Sequence, residues 1–261
     1  ALRNADVTQP PSADDLTKSS CTLSTEQTFE VDDARRRFRR SIQEIMLAAL
    51  GRTIAQTIGE GVLAVELEGE GRSVLRPDVD LRRTVGWFTT YYPIPLACAN
   101  GPGATAIQEL DAVHSTLKSV PHYGIGYGLL RHVYAPTGRV LGAQRTPDIH
   151  FRYAGVIPEL PSVDAPVQFD SDMTMPVRET IPGLGHAIEL RAYRSAGSLH
   201  LDWWYDTRRI PGGVIEALMR TFPLALSELI QEGIAADHDD GELVGATEAG
   251  ALVDLSTLDA S

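Results

Sequence analysis

An α+β layered fold, an α/β sandwich, is what this sequence predicts, and three observations point to it. Helix-like and strand-like segments are mixed along the chain without the strict alternation of a doubly wound sheet. The 261 residues are 43% hydrophobic and 22% charged, ordinary globular usage with enough apolar material for a sizeable core. No internal repeat at a solenoid period is evident.

Each element follows from local pattern. Residues 1–19 are polar, rich in Asp, Pro, Ser and Thr, and are read as a flexible lead-in. A strand is expected at 20–23, and Ser24, with Gln27 three residues on, has the form of a helix cap. A single long helix is predicted over 33–58, where Phe38, Ile42, Ile45, Met46, Ala49 and Thr53 recur at three- and four-residue steps. Asp32 and Asp33 stand at its start, where acidic groups favour the helix dipole.

Gly61 opens 62–67, a β-rich run read as a largely buried strand. Another strand is expected over 84–96, ended by Pro93 and Pro95. A helix covers 104–119, with Ile107, Leu110, Val113, His114 and Leu117 on one side, and a short one covers 127–133. Strands are expected at 148–153, 187–193 and 198–205, the last two joined as a hairpin across Ser195-Ala196-Gly197. A final amphipathic helix spans 213–232, and 236–261, with seven acidic residues and no Lys or Arg, is read as an acidic tail or linker.

Charge and composition exclude several classes. The formal charge of −12 argues against a nucleic-acid binder, since phosphate affinity comes from clustered Lys and Arg. The dense run Arg35-Arg36-Arg37 with Arg39-Arg40 is the exception, read as a solvated helix face or a lure for an acidic partner. No apolar stretch approaches the ~20 residues of a membrane helix, and no export signal is visible. Cys21 and Cys98 form no C-x-x-C pair and fit reduced thiols in a cytoplasmic protein. Scattered His and Asp show no metal-ligand spacing, and no G-x-S-x-G elbow suggests a serine hydrolase.

Four blocks stand out. They are Arg83-Thr84-Val85-Gly86-Trp87-Phe88-Thr89 followed by Tyr92-Pro93-Ile94-Pro95-Leu96; Pro121 through Arg131, with Gly124, Gly126 and Gly128; Phe151-Arg152-Tyr153-Ala154-Gly155; and Leu199 through Tyr205. The glycines of the second block permit positive φ and a tight helix entry, but their spacing is not that of a dinucleotide loop. The large aromatics Trp87, Trp203 and Trp204 are read as core packing by default and as tunnel lining otherwise.

In order and spacing, from about Cys21 to Ile234, these blocks resemble the C-terminal half of an epimerization/condensation domain of nonribosomal peptide synthetases. The resemblance implies a chloramphenicol-acetyltransferase-like half-domain, a mixed sheet flanked by helices, with an active site between two similar halves. It implies action on aminoacyl or peptidyl thioesters held by the phosphopantetheine arm of a peptidyl carrier protein, with no cofactor bound directly.

That family depends on a histidine from an H-H-x-x-x-D-G motif, absent here: the histidines at 114, 122, 132, 150, 186, 200 and 238 are never adjacent. The family's E-G-H-G-R-E run reads Glu68-Gly69-Glu70-Gly71-Arg72-Ser73, and the Asn of its F-N-Y-L-G becomes Arg152, which donates hydrogen bonds but cannot accept them. The resemblance therefore leaves Glu68 as the acid/base carboxylate and Tyr153 as the oxyanion-side hydroxyl, with Arg152, Trp87 and Tyr127 toward substrate. The bland alternative makes Glu68 a solvated loop residue and Tyr153 a packed aromatic.

The resulting domain reading is a lead-in at 1–19, a subdomain at 20–235 and a tail at 236–261. Its activity would need an N-terminal half that supplies the histidine, and the exposed half-interface predicts self-association or a partner. The rivals are a noncatalytic module that binds a carrier or scaffolds a synthetase, and an acyltransferase or isomerase with a rebuilt site.

Overall fold

The structure, a computed structural model, describes residues 11–72, 80–86, 88–99, 105–157 and 185–249, with backbone alone at 13 and 237–249. Its elements are β1 (Leu16–Thr22), α1 (Thr25–Arg37), α2 (Ile42–Thr57), β2 (Gly61–Glu70), β3 (Thr89–Cys98), α3 (Ala106–Ser119), α4 (Ile125–His132), α5 (Ala135–Gly142), β4 (Ile149–Val156), β5 (Ile188–Ser195), β6 (Ser198–Asp206) and α6 (Gly212–Ala249). The strands form one sheet in the order β1-β6-β5-β4-β2-β3. It is mixed: β4 runs parallel to β2 and β5, while β1/β6, β5/β6 and β2/β3 are antiparallel. A mixed sheet flanked by helices is the architecture expected.

Several local expectations hold with their stated causes. Ser24 caps α1 through a reciprocal capping box with Gln27. The β5–β6 hairpin turns at Ala196 (φ 50°) and Gly197 (φ 77°), the paired positive φ values of a tight primed turn. Gly124 is left-handed at φ 79°, and a Cβ there would lie 1.9 Å from the Tyr92 ring. By contrast Gly126 and Gly128 sit inside α4 with no positive φ, so only one glycine of that block serves a tight entry.

Other expectations are corrected. The helix predicted over 33–58 is two helices, because the chain turns at Arg39 (φ 52°) and Ser41 starts α2 with its own capping box to Glu44. Asp32 and Asp33 accordingly lie within α1, where Asp32 accepts from Arg194 on β5 at 3.0 Å. Pro93 and Pro95 do not end a strand. They lie inside β3, an edge strand, whose outer side needs no N–H. The first strand begins at Leu16 rather than 20, paired along β6, and the last helix continues to Ala249 through a stretch expected to be a tail. Residues 1–10, 101–103 and 250–261 lie outside the described residues.

The core explains the layering. Leu67, Ile94, Phe151, Leu190, Leu201 and Trp203 line one face of the sheet and are at most 2% exposed. Against that face lie α1, α2, α3 and α6. Every residue of α2 from Glu44 to Ala55 is buried, so this helix is enclosed on all sides where one apolar stripe was expected. Gly51 allows it: a Cβ there would lie 2.4 Å from the Ala97 carbonyl oxygen of β3.

Candidate functional site

The sheet's other face is polar, and strand alternation puts it there. Glu66 and Glu68 on β2, His150 and Arg152 on β4, Glu189 and Arg191 on β5, and Asp202 and Trp204 on β6 interleave with the core residues. Register joins them into rows: Glu66 is opposite His150, His150 opposite Glu189, and Glu189 opposite Trp204.

At one end of this face a cavity of about 500 Å³ is lined by Glu68, Glu70, Arg72, Phe88, Arg152 and Tyr153, among others. Arg152 Nη1 stands 3.3 Å from Glu68 Oε1, with the carboxyl side chain 11% and the guanidinium 41% exposed. Burial pushes the Glu68 carboxyl above its ordinary value; the Arg152 and His150 charges pull it back, and Glu189 adds to the rise. Glu68 is thus neither a loop residue nor freely solvated.

Tyr153 lines the same cavity, but as the next residue along β4 it turns toward the helical side and packs on the core. Burial raises its hydroxyl, and the charges that act on it are Arg194, Asp32 and Arg35, not Glu68. Tyr127 lines a neighbouring cavity of about 610 Å³ between α4 and β3, together with Glu66, Phe88, Tyr91 and Leu129. The structure therefore brings Glu68, Arg152 and Tyr153 to one cavity and places Tyr127 in the next. Trp87 lies outside the described residues. Trp203 is fully buried in the core, and Trp204 lies on the polar face under Lys18, whose Nζ is 5.7 Å from its ring.

A buried group that the sequence reading missed includes Glu66, which lines the second cavity. His186 Nε2 is 2.9 Å from Glu66 Oε2, and its Nδ1 is 2.8 Å from the Pro147 carbonyl oxygen. The carbonyl can only accept, so Nδ1–H donates to it, and one proton lies between Nε2 and the carboxyl. His150 stacks on His186 at 5.3 Å and tilts against Tyr91 at 5.6 Å. It is 3.7 Å from Glu189 Oε1, beyond hydrogen-bond reach, and neither ring nitrogen has a partner among the described residues. Burial, then the Glu68 charge, raises the Tyr91 hydroxyl. The available signal was the period-two spacing Glu66-x-Glu68 and His150-x-Arg152, which marks one polar strand face.

Among the described residues no cluster of three or more His, Cys, Asp or Glu has a metal-binding arrangement, and no helix is long and apolar enough to cross a membrane. The two thiols are free; burial pushes Cys98 up to about 11.

Fold and site together define a layered α+β domain with a polar cleft on its sheet. A family model, the condensation domain, matches residues 5–252, and the chain belongs to that family. It is 81% identical over 263 residues to a component of the phenolphthiocerol/phthiocerol polyketide synthase of Mycobacterium tuberculosis, covering 100% of this chain and 18% of that protein. It is 32% identical over 213 residues to a component of the linear gramicidin synthase of Brevibacillus parabrevis, covering 79% of this chain and 4% of that one. The chain thus spans under a fifth of the length of these relatives.

Among solved structures it is similar to the epimerization domain from the third module of tyrocidine synthetase B, with TM-score 0.71, 21% identity, and 90% of this chain and 52% of that one covered. A condensation domain of the enacyloxin polyketide synthase gives TM-score 0.59 and 18% identity over 85% of this chain and 42% of that one. At these identities the likeness bears on the fold.

Proposed function

We propose that this chain is the C-terminal subdomain of an epimerization/condensation-type domain, with the subdomain at about 20–235. It acts on aminoacyl or peptidyl thioesters tethered to a peptidyl carrier protein, and a partner half supplies the H-H-x-x-x-D-G histidine. The observation that carries this is the Glu68–Arg152 cavity: a half-buried carboxyl raised toward acid/base use stands on a polar sheet face, and no histidine lines that cavity among the described residues. Overlap with 52% of an epimerization-domain chain supports the half-domain reading.

In this reading Glu68 holds or accepts a proton at the thioester's α-carbon, and Arg152 orients the carboxylate and faces the carbonyl oxygen as charge develops there. Tyr153 shapes the same cavity from the neighbouring strand position.

The test mixes the chain with aminoacyl-loaded carrier protein and follows α-proton exchange, with and without a half-domain carrying the histidine motif. Exchange is expected only with that half, and Glu68→Gln is expected to lower it by about 10²–10⁴-fold. Undiminished exchange in the variant would remove Glu68 from the chemistry. The second reading, a noncatalytic carrier-binding module, is favoured by the Glu68–Arg152 ion pair itself, where the family has an uncharged Asn. Carrier binding with no exchange under any of these conditions would select it.

A stability measurement reports on Glu68 independently. Its folded-state pKa lies above the ordinary 4.5, so its contribution to stability is complete below that value and is lost as pH rises through the raised one. Glu68→Gln cannot titrate. Its melting temperature relative to the parent is therefore expected to climb as pH rises above 4.5. A difference that stays flat with rising pH contradicts the burial effect.

A further inference from the structure

The 610 Å³ cavity between α4 and β3 has walls unlike those of its polar neighbour. Phe88, Tyr91, Ile125, Tyr127 and Leu129 supply hydrocarbon and ring surface. Two of its charged groups have partners of their own: Glu66 meets His186 at 2.9 Å, and Arg131 Nη1–H donates to the Tyr127 hydroxyl at 2.9 Å. His132 and Thr90 also line the wall, the Thr90 hydroxyl without a hydrogen-bond partner among the described residues, but ring and hydrocarbon surface predominates, and against it an apolar chain displaces only water. The size suits a ligand pocket, and it adjoins the Glu68–Arg152 cavity, with Phe88 and Thr89 lining both.

Gly128 is the second observation. It stands within α4, where glycine weakens a helix relative to alanine. Its φ is ordinary, and a Cβ added there meets no atom within 4 Å. Neither backbone conformation nor close packing requires glycine at this position. What its missing side chain does is leave the cavity wall open.

We propose that this cavity takes the aliphatic chain of a long acyl thioester, and that Gly128 keeps it open as a specificity-determining residue. The inference rests on the reading that the chain handles carrier-bound thioesters, and it narrows their class: the thioester lies at Glu68–Arg152 and the hydrocarbon runs between α4 and β3.

Calorimetric titration of the full chain with dodecanoyl-pantetheine, acetyl-pantetheine and free dodecanoate tests it. Dodecanoyl-pantetheine is expected to bind at least about a hundredfold more tightly than acetyl-pantetheine, since each buried methylene adds affinity. Gly128→Leu is expected to weaken dodecanoyl-pantetheine by at least about tenfold while leaving the melting temperature unchanged or raised. If that variant melts early, Leu129→Glu, at an exposed wall position, tests the same wall. Equal affinity for the two thioesters, or wall variants that bind the long chain as the parent does, would overturn the proposal. Free dodecanoate binding as tightly as its thioester supports the apolar cavity while counting against the tether. Failure of the carrier reading is thereby separated from failure of this one.

Discussion

Trp203→Ala is expected to lower the folding free energy by about 3–5 kcal/mol, the range for removing a fully buried large aromatic. Trp203 is 0% exposed on the core face of β6 and meets Phe222 of α6 edge-on, with centroids 6.0 Å apart at 77°. Its indole therefore joins sheet to helix layer, and the substitution leaves a void that both would have to close. Urea unfolding with a thermal melt measures it, a fall of roughly 10 °C being expected for a domain of this size. Trp204, next along the chain but on the half-buried polar face, supplies the contrast: its alanine variant should cost clearly less. If the two variants were equally destabilised, the assignment of sheet faces, and with it the site, would be wrong.

A comparable loss, about 3–5 kcal/mol, is expected from Arg52→Ala, by a different mechanism. Arg52, 4% exposed on the enclosed helix α2, bonds Glu109 of α3 through two guanidinium nitrogens at 3.1 and 3.0 Å, and Glu232 of α6 at 2.8 Å. It ties three helices at one point. Burial pushes the Glu109 carboxyl up, and the Arg52 hydrogen bonds and charge hold it down. Deleting the guanidinium leaves that carboxylate, 12% exposed, without its counter-charge. Most of the expected loss is this uncompensated charge, so Glu109→Gln added to Arg52→Ala should recover part of the stability. Strict additivity of the two substitutions would show that the pair does not act as one unit.

The fold was legible where local chemistry decides it. Ser24 with Gln27, the Ser195–Ser198 turn and the β-branched runs each prescribe their structure within a few residues. It was misread where a distant element intervenes. The apolar steps from Phe38 to Thr53 ran across a turn at Arg39 that hydrophobic period does not register, and the burial of α2 on every side depends on β3, α3 and α6 arriving around it. Pro93 and Pro95 signalled a strand end because an edge position cannot be seen before strand order is known.

The site divides in the same way. Glu68, Arg152 and Tyr153 were selected by motif resemblance, and the structure puts all three at one cavity, yet the chain itself orients Tyr153 away from the other two. His150, His186 and Glu66 were invisible as a group because they are brought together from β4, the segment before β5, and β2, up to 120 residues apart.

By itself, the sequence determined the layered class of the fold, most element positions and the identity of the polar strand residues, because propensities, caps and period-two alternation act over a few residues. Only the tertiary structure decided that Arg152 meets Glu68, that Tyr127 belongs to a separate apolar cavity, and that His150 and His186 stack beside Glu66. Those outcomes depend on the strand order β4-β2-β3 and on α4 lying against the sheet edge, and such pairings are set by long-range packing that no local window contains.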